Sequence, residues 1–309
     1  MIETRLMNYF LAVAREQNIT KAAEVLNITQ PTLSKQLQEL ENQLGKKLFI
    51  RTSKNTVLTE DGVYFRAKAQ EIIDLVEKAE KNMKEDSDTL SGDVYIGAAE
   101  SHYMNDIAKI MCDIHSEYPD IHFHIVSGMA DDIFDQLDKG LLDFGLMLSP
   151  VSYEKFNYEL LPYPHHIGLL MRNDHPLTSR NVVTIDDISK IPLIFPNQTY
   201  GDNAIASWFR NYDNLNIVAT YNLIYNAIFL VENGMGSAFC LEHLVNMEGR
   251  SLAFRRFSPA LTGEMYLVSK RFQTFNKAAA LFKEKLLRNE SVSIFMNKPV
   301  QSKKARAKQ

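Results

Sequence analysis

Amide, hydroxyl and ammonium side chains are concentrated between residues 20 and 54, a stretch with six lysines and arginines against three glutamates. Amides and hydroxyls can hydrogen-bond to base edges without a fixed charge to desolvate, and lysines and arginines pair with phosphates. This chemistry is typical of a segment that reads double-stranded DNA. The candidate DNA contacts are Thr20, Lys21, Gln30, Pro31, Thr32, Ser34, Lys35, Arg51 and Lys54.

Two short helices are predicted to position these groups. Thr20 is expected to cap the first helix and Thr29 the second, with Pro31 in a first turn where its missing N–H does no harm. Gly45 is expected to end the second helix. The buried face of the second helix is marked by leucines at spacings of four, three and four: Leu33, Leu37, Leu40 and Leu44.

A basic hairpin is predicted after the second helix, because residues 48–51 and 55–59 are short runs of strand-forming residues. An alternative interpretation is that the polar groups of the second helix are only the solvated side of an amphipathic helix. The excess of positive charge in the stretch favours contact with phosphates and hence the DNA-reading interpretation.

Six motifs follow one another along the first 65 residues: MNYFLAVAREQN, AA..L, TQPTLS, LE..LG, LF.R and LT..G. Together they resemble the winged helix-turn-helix of LysR-type transcriptional regulators, and the rest of the chain agrees with that family in the order of its elements. Two positions depart from the family pattern. Lys54 stands where the family often has arginine, and it can still meet a phosphate as a point charge. Asp61 replaces a usual small residue, for which the sequence offers no reason.

Residues 64–86 contain no glycine or proline and are rich in helix formers. Their apolar residues recur at spacings of four and three, the heptad pattern of a helix that pairs with another helix. The predicted seam is Phe65, Ala69, Ile72, Val76, Ala79 and Met83. A helix packed only on its own domain is the alternative. The resemblance implies a dimerising linker helix in a homodimer, often within a homotetramer.

The composition excludes several classes of protein. Of 309 residues, 45% are hydrophobic and 23% charged, as in soluble globular proteins, and no apolar run is long enough to span a bilayer. The N-terminus does not read as a secretory signal, so we expect a cytoplasmic protein without membrane contact. The formal charge of −4 is uneven, since residues 92–297 carry 16 basic and 24 acidic side chains while the tail carries five basic and no acidic ones.

Cys112 and Cys240 are the two cysteines of the chain. With no CxxC motif and no neighbouring cluster of metal ligands, they predict neither a disulfide scaffold nor a metal site, and both are expected to be buried thiols. Because some LysR-type regulators sense oxidants, a response to redox state through cysteine is an alternative function.

From residue 92 onward, strand-like and helix-like segments alternate, which predicts parallel βαβ units. The later strands are predicted at 166–172, 191–195, 217–221, 236–240 and 265–269, with helices at 204–212 and 277–287. The resemblance implies a multidomain fold in which an all-α winged helix-turn-helix precedes an α/β effector domain of two Rossmann-like subdomains, as in type II periplasmic binding proteins. The expected boundaries are 1–60 for the DNA-binding domain, 61–88 for the linker helix, 92–295 for the effector domain (92–162 with 266–295, and 163–265) and 296–309 for a disordered basic tail.

Ligands of open α/β sheets lie at the carboxyl ends of strands, beside helix N-termini. The resemblance places effector contacts in three such turns and near two further side chains: Glu100, Ser101, His102, Tyr103, Ser127, Gly128, Met147, Pro196, Asn197, Gln198, Thr199 and Tyr225. Ser101 is also expected to cap the following helix. Glu100 would favour a cationic or amine-bearing effector unless it points into solvent. The alternative is that these residues serve only as turns and caps.

The sequence contains no G-x-S-x-G elbow, no G-x-x-x-x-G-K-[ST] loop and no G-x-G-x-x-G opening a helix after a strand. His165 and His166 are adjacent in a strand-like run and should point to opposite faces, so they predict neither a catalytic dyad nor a metal site. An exported solute-binding protein would have no use for residues 1–85. We therefore expect a sequence-specific DNA-binding regulator that is not an enzyme and has no cofactor. Its expected partners are a DNA operator, a small-molecule effector and a second copy of itself, with RNA polymerase as a further candidate.

Overall fold

The structure is a computed structural model that describes residues 1–51, 55–83, 90–149, 152–197 and 215–288. The chain divides into two compact units, Met1–Lys84 and Glu85–Gln309. Within the described residues, no helix is long and apolar enough to cross a membrane. The predicted helix at 204–212 and the predicted tail lie outside the described residues.

The first unit consists of helices around a two-stranded hairpin. Its elements are α1 (Thr4–Glu16), α2 (Ile19–Val25), α3 (Gln30–Leu44), β1 (Phe49–Arg51), β2 (Thr56–Leu58) and α4 (Glu60–Met83). The predicted limits of α3 are confirmed: the Thr29 hydroxyl accepts a hydrogen bond from the Thr32 amide, and Gly45 follows the helix in the left-handed conformation with φ 66°. The hairpin pairs Phe49 with Leu58 in antiparallel register, as the sequence predicted.

The prediction that Thr20 caps α2 is wrong. The side chain of Asn18 caps this helix by accepting a hydrogen bond from the Lys21 amide at 3.0 Å. A cap must lie outside the helix in extended conformation, three residues before the amide that it satisfies. Asn18 meets both conditions with φ −151°, whereas Thr20 already lies inside the helix.

The first half of α4 packs on its own unit. Phe65 contacts Phe10 with ring centroids 5.0 Å apart, and Ala69 and Ile73 are buried in the same core. Phe65 and Ala69 of the predicted heptad seam thus pack in the core of their own unit, which is the alternative for this part of the helix, and the pairing seam stays a prediction. Farther along, Ile72 and Met83 are exposed, as the seam requires.

Gly62 and Asp61 fix the beginning of α4 against the hairpin. The Thr59 hydroxyl accepts a hydrogen bond from the Gly62 amide at 2.9 Å. A Cβ atom at Gly62 would lie 2.2 Å from the Leu48 carbonyl oxygen, so the close approach of helix and hairpin requires glycine. Asp61, which the sequence left unexplained, forms a 3.3 Å ion pair with Lys46 and places negative charge in the first turn of the helix.

In the part of the second unit that the structure describes, the strands form one mixed nine-stranded sheet. Its strands are β3 (Gly92–Ala98), β4 (Ile121–Ser127), β5 (Phe144–Leu148), β6 (Phe156–Arg172), β7 (Val182–Val183), β8 (Leu193–Pro196), β9 (Ile217–Tyr221), β10 (Ser237–Leu241) and β11 (Leu252–Lys270). Its helices are α5 (Met104–Glu117), α6 (Ala130–Asp138), α7 (Ile185–Ile188), α8 (Ile224–Glu232) and α9 (Lys277–Arg288), with a short 3-10 helix at Pro176–Ser179. The strand order is β4-β3-β5-β11-β6-β10-β8-β9, and β7 pairs with β11.

Strands β3, β4 and β5 are parallel to one another, as are β8, β9 and β10, which confirms the predicted α/β character of two halves. We call the β3–β4–β5 side the first half and the β8–β9–β10 side the second half. Each half has its own apolar core, with Ile107 and Phe282 buried in the first and Ile188 and Val231 in the second. The exact subdomain boundaries at 162/163 and 265/266 stay a prediction.

Two long antiparallel strands, β6 and β11, run through both halves and join them. The sequence predicted only their second parts, at 166–172 and 265–269. Pro162 and Pro164 argue against a strand in the first part of β6, since proline cannot donate to a strand ladder. Pairing with β11 from Arg172 to Phe156 overrides this local preference, with register shifts that absorb the irregularity.

Glu41 is a buried carboxylate that ties α3 to the hairpin. Its exposed fraction is 6%, and it accepts hydrogen bonds from the amides of Leu48 at 2.9 Å and Phe49 at 3.2 Å and from the Lys47 ammonium at 2.7 Å. Burial by itself raises the pKa of Glu41, but the hydrogen bonds that it accepts outweigh burial and hold the pKa below its usual value. Its stabilising effect is therefore present above the usual carboxylate pKa and is lost as the pH falls through the lowered value.

We expect Glu41→Ala to destabilise the first unit by about 1–3 kcal/mol at neutral pH, because two buried amides lose their acceptor. Hydrogen exchange of the α3 amides, measured by mass spectrometry on the full chain, should become faster by the corresponding factor. Glu39→Ala on the exposed side of the same helix is the control and should change the exchange little. Equal exchange in the two variants would contradict a structural role for the Glu41 carboxylate.

Candidate DNA-binding surface and ligand cavity

The polar face of α3 lies on the surface of the first unit. Gln30, Thr32 and Lys35 are exposed at the beginning of the helix, while Leu33 and Leu37 are fully buried beneath them. The buried leucines fix the rotation of the helix, and this rotation decides which side chains face outward. The N-terminal half of α3 thus presents an amide, a hydroxyl and an ammonium group from one rigid element.

The other predicted DNA contacts differ in their surroundings. Thr20 and Lys21 are exposed on α2, and Pro31 is exposed in the first turn of α3. Ser34 is half-buried. The hydroxyl of Thr32 lies 2.8 Å from that of Thr29, so the helix cap also orients a side chain of the polar face. Arg51 ends strand β1, and Lys54 lies outside the described residues.

A cavity lies at the carboxyl ends of the parallel strands in the second unit. Its empty volume is about 640 Å³, counting the space that opens to solvent. Its wall is mainly apolar, with contributions from both halves and from β6: Leu148, Ile167, Phe239, Leu241 and Leu244. Among the described residues, the polar side chains of the lining are those of Glu100, Tyr221 and Asn222. Such a mainly apolar concavity with a few polar groups is the usual form of a small-molecule site.

Glu100 spans the cavity between the two halves. It follows β3 in the first half, and its carboxylate accepts a hydrogen bond at 2.8 Å from the amide of Ile224, the first residue of α8 in the second half. The N-terminus of a helix carries partial positive charge and unpaired amides, which compensate a carboxylate. Glu100 therefore neither points into bulk solvent nor presents an uncompensated charge that would require a cationic ligand.

Ser101 has two polar neighbours. Its hydroxyl accepts a hydrogen bond from the Tyr103 amide at 3.0 Å and lies 3.3 Å from Nε2 of His165. It thus caps the turn before α5 rather than the helix itself. Burial, together with the positive charges that His102 and His166 would carry, lowers the pKa of His165 to about 4. His165 and His166 both border a second pocket of this unit. The expectation that their side chains point to opposite faces of the strand did not predict this.

The structure places part of the predicted effector set at this cavity. Glu100, Gly128 and Pro196 line it. The described residues of the set that do not line it are Ser101, His102, Tyr103, Ser127, Met147, Asn197 and Tyr225. Met147 is fully buried in the core under α6, and Tyr225 is 63% exposed on α8 with its ring against Phe229. Gln198 and Thr199 lie outside the described residues.

Sequence reasoning missed the contribution of the second half of the sheet. The carboxyl ends of β9 and β10 supply much of the cavity wall: Tyr221, Asn222, Leu223, Ile224, Phe239, Cys240 and Leu241. Both strands were predicted from their apolar runs. The rule that ligands lie at strand carboxyl ends also covers these two strands. The apolar runs at 217–221 and 236–240 are thus the signal that indicates this part of the wall.

The cysteines differ from expectation in one case. Cys240 is buried in the wall of the cavity, and burial raises the pKa of its thiol to about 12. Since the thiolate is the reactive form, this environment does not favour oxidation chemistry at Cys240. Cys112 lies exposed on α5, so the expectation that both thiols are buried is wrong for this residue.

Comparisons with known proteins agree with this architecture. Residues 4–63 match the model of the bacterial regulatory helix-turn-helix protein, lysR family, and residues 87–290 match the LysR substrate binding domain. The two units thus define a helix-turn-helix transcriptional regulator with a domain that binds a small molecule. The chain belongs to the LysR family, whose members are DNA-binding transcriptional regulators and generally not enzymes.

The individual proteins that the chain resembles have low sequence identity to it. The chain is 30% identical over 195 residues to the uncharacterised regulator YnfL of Escherichia coli (strain K12), an alignment that covers 63% of this chain and 65% of YnfL. It is 28% identical over 263 residues to the Hca operon transcriptional activator HcaR of the same strain, covering 82% and 86%. Full-length CbnR, crystallised with its target DNA, has the same fold with a TM-score of 0.75 at 17% identity, covering 93% of this chain and 99% of CbnR.

Proposed function

We propose that this LysR-family regulator reads its operator with the N-terminal half of α3 and responds to a small molecule held in the cavity of the second unit. The observation that carries the proposal is the exposed cluster of Gln30, Thr32 and Lys35 on a helix whose rotation is fixed by buried leucines. An α-helix of this kind fits the major groove, where each base pair presents a distinct pattern of donors and acceptors.

The three side chains have different roles in this proposal. The Gln30 amide can donate and accept at once, which matches the edge of adenine. The Lys35 ammonium has only donors and a full charge, so it suits a phosphate whose contact carries no sequence information. Thr32, oriented by its contact with Thr29, suits a base edge or a phosphate.

We expect Gln30→Ala to weaken binding to the preferred operator by about 1–3 kcal/mol while leaving binding to unrelated DNA unchanged, because only a base contact is lost. Lys35→Ala should weaken both, and should reduce the slope of log affinity against log salt by about 0.9. Fluorescence anisotropy with duplexes selected by the wild-type protein measures both quantities.

The control for this experiment is Gln43→Ala, an exposed glutamine near the C-terminal end of the same helix. Its operator affinity should equal that of the wild-type protein, since residue 43 lies roughly 20 Å along the helix from residue 30. If Gln30→Ala bound all duplexes like the wild-type protein, this face of α3 would not read bases.

The proposed effector is a small molecule with an apolar body, because most of the cavity wall is apolar. Glu100 is satisfied by the Ile224 amide, so the site does not call for an amine. A ligand in this position would contact both halves at once. The proposed mechanism is that the ligand favours one angle between the halves, with predicted boundaries at 92–162 with 266–295 and at 163–265. A ligand shifts such an equilibrium only by its difference in affinity for the two arrangements.

We expect a metabolite that raises the melting temperature of the wild-type protein to lose this effect in Leu223→Trp, because the larger side chain fills space in the cavity lined by Leu223. A saturating ligand at 100 times its dissociation constant should stabilise the protein by about 2.7 kcal/mol. Differential scanning fluorimetry of a metabolite library measures this. Tyr225→Trp, two residues away and exposed, is the matched control and should respond like the wild-type protein. The opposite pattern would place the effector at Tyr225 instead.

Self-association through the second half of α4 is the third part of the proposal. Ile72, Leu75 and Met83 are apolar and exposed on this helix, with Val76 half-buried between them. A homodimer would present two α3 helices to two half-sites, as two-fold operators require. A homotetramer and a contact with RNA polymerase are implied by the family resemblance.

We expect mass photometry to find the wild-type protein at two or four times the chain mass, and Ile72→Glu to shift it toward the monomer, because the substitution puts a charge in the apolar seam. Ala67→Glu is the control, since it adds the same charge at another exposed position of α4. A wild-type protein that is monomeric at working concentration would rule out this part of the proposal.

A further inference from the structure

Four of the eight histidines of the chain border one pocket of the second unit. We call it the histidine pocket; its histidines are His102, His165, His166 and His243. Its empty volume is about 500 Å³, counting the space open to solvent. It is distinct from the cavity described above, because Tyr103, Asp106 and Glu242 complete its wall and none of its residues lines that cavity.

The histidines come from different parts of the fold. His102 follows β3 in the first half, His243 follows β10 in the second, and His165 and His166 lie in the strand that joins the halves. The rings of His102 and His243 lie with their centroids 5.5 Å apart and their planes tilted by 51°. His102 and His243 are exposed, and His165 is buried beside Ser101. The wall therefore combines one buried imidazole with others that solvent reaches.

The carboxylates in and near the histidine pocket already have hydrogen-bond or ionic partners. Glu242 is held by two hydrogen bonds of 2.7 Å from Arg256 and lies 3.8 Å from Nε2 of His243. Asp106 pairs with Lys109 at 2.8 Å. Glu100, two residues before His102, accepts from the amide of Ile224. Protons added to the imidazoles would therefore bring positive charge that these carboxylates compensate only in part.

The arrangement does not suit a metal ion. Among the described residues, no group of three or more histidine, cysteine, aspartate or glutamate side chains is placed to hold one. Imidazolium groups, in contrast, donate charge-assisted hydrogen bonds to oxyanions and need no common centre. An anion would supply the negative charge that the protonated cluster lacks, and protons would supply the charge that the anion requires.

We propose that the histidine pocket binds a small anion with carboxylate or sulfate-like oxygen atoms, and that the anion binds together with one or more protons on the exposed imidazoles. His102 and His243 carry the contact from the two halves, so the anion bridges them. The low pKa of His165 keeps this ring neutral, and it serves as an acceptor or donor for Ser101 rather than as a charge.

Succinate and sulfate are the probes, with succinamide as the uncharged analogue of succinate. Isothermal titration of the full chain at pH 6 and pH 8, at constant ionic strength, should give about tenfold tighter binding of the anions at pH 6, since histidine gains its charge in this range. Titrations in buffers of different ionisation enthalpy should show proton uptake. Binding of succinate alone or of sulfate alone assigns the carboxylate or the tetrahedral oxyanion as the preferred class.

The His102→Gln/His243→Gln double variant should lose the pH dependence and at least tenfold in affinity at pH 6, because glutamine donates without charge. His122→Gln, which changes an exposed histidine outside the pocket, should bind like the wild-type protein. Leu223→Trp should also keep the anion response, which separates this pocket from the proposed effector cavity. Equal affinities at the two pH values, equal binding of succinamide, or an unchanged double variant would overturn the proposal.

Discussion

The antiparallel pairing of β6 with β11 is the constraint on which the second unit depends. These two strands are the elements that pass through both halves, and they pair from Arg172 with Leu252 to Phe156 with Lys270. At Gly168 the strands approach so closely that a Cβ atom would lie 2.3 Å from the Arg255 carbonyl oxygen. Because the pairing fixes both halves to one frame, the carboxyl ends of two separate sets of parallel strands face a common space.

The first unit depends on a comparable close contact between helix and hairpin. Glu41 satisfies two hairpin amides from within α3, and Gly62 lets α4 approach the carbonyl of Leu48. The Glu41 hydrogen bonds are polar and buried, so they specify one position of the hairpin relative to α3 instead of a range of similar packings. A DNA-reading helix needs this precision, because its side chains must reach base edges while the hairpin stays beside it.

The sequence predicted those features that depend on residues close together along the chain. Thr29, Pro31 and Gly45 act within one turn of a helix end, and the limits of α3 followed from them. The prediction that Thr20 caps α2 was wrong because Asn18, two residues earlier, can also cap a helix, and only the backbone conformation decides between the two. The first part of β6 and the burial of Met147 depend on partners far along the chain. The histidine pocket likewise joins residues from three separate segments, and no pattern within one segment predicts that it lies beside the other two.

The hydrogen bond between Glu100 and Ile224 is a route by which a ligand in the cavity could change the arrangement of the two halves. It is a hydrogen bond from one half to a helix end of the other, and both residues line the cavity. A ligand that carries its own acceptor would compete with Glu100 for the α8 terminus, whereas an apolar ligand would leave the contact in place and pack beside it. The two cases predict opposite changes in the attraction between the halves. In the proposed mechanism, the chemistry of the ligand would therefore decide the direction of the response, because it sets which arrangement of the halves the ligand prefers.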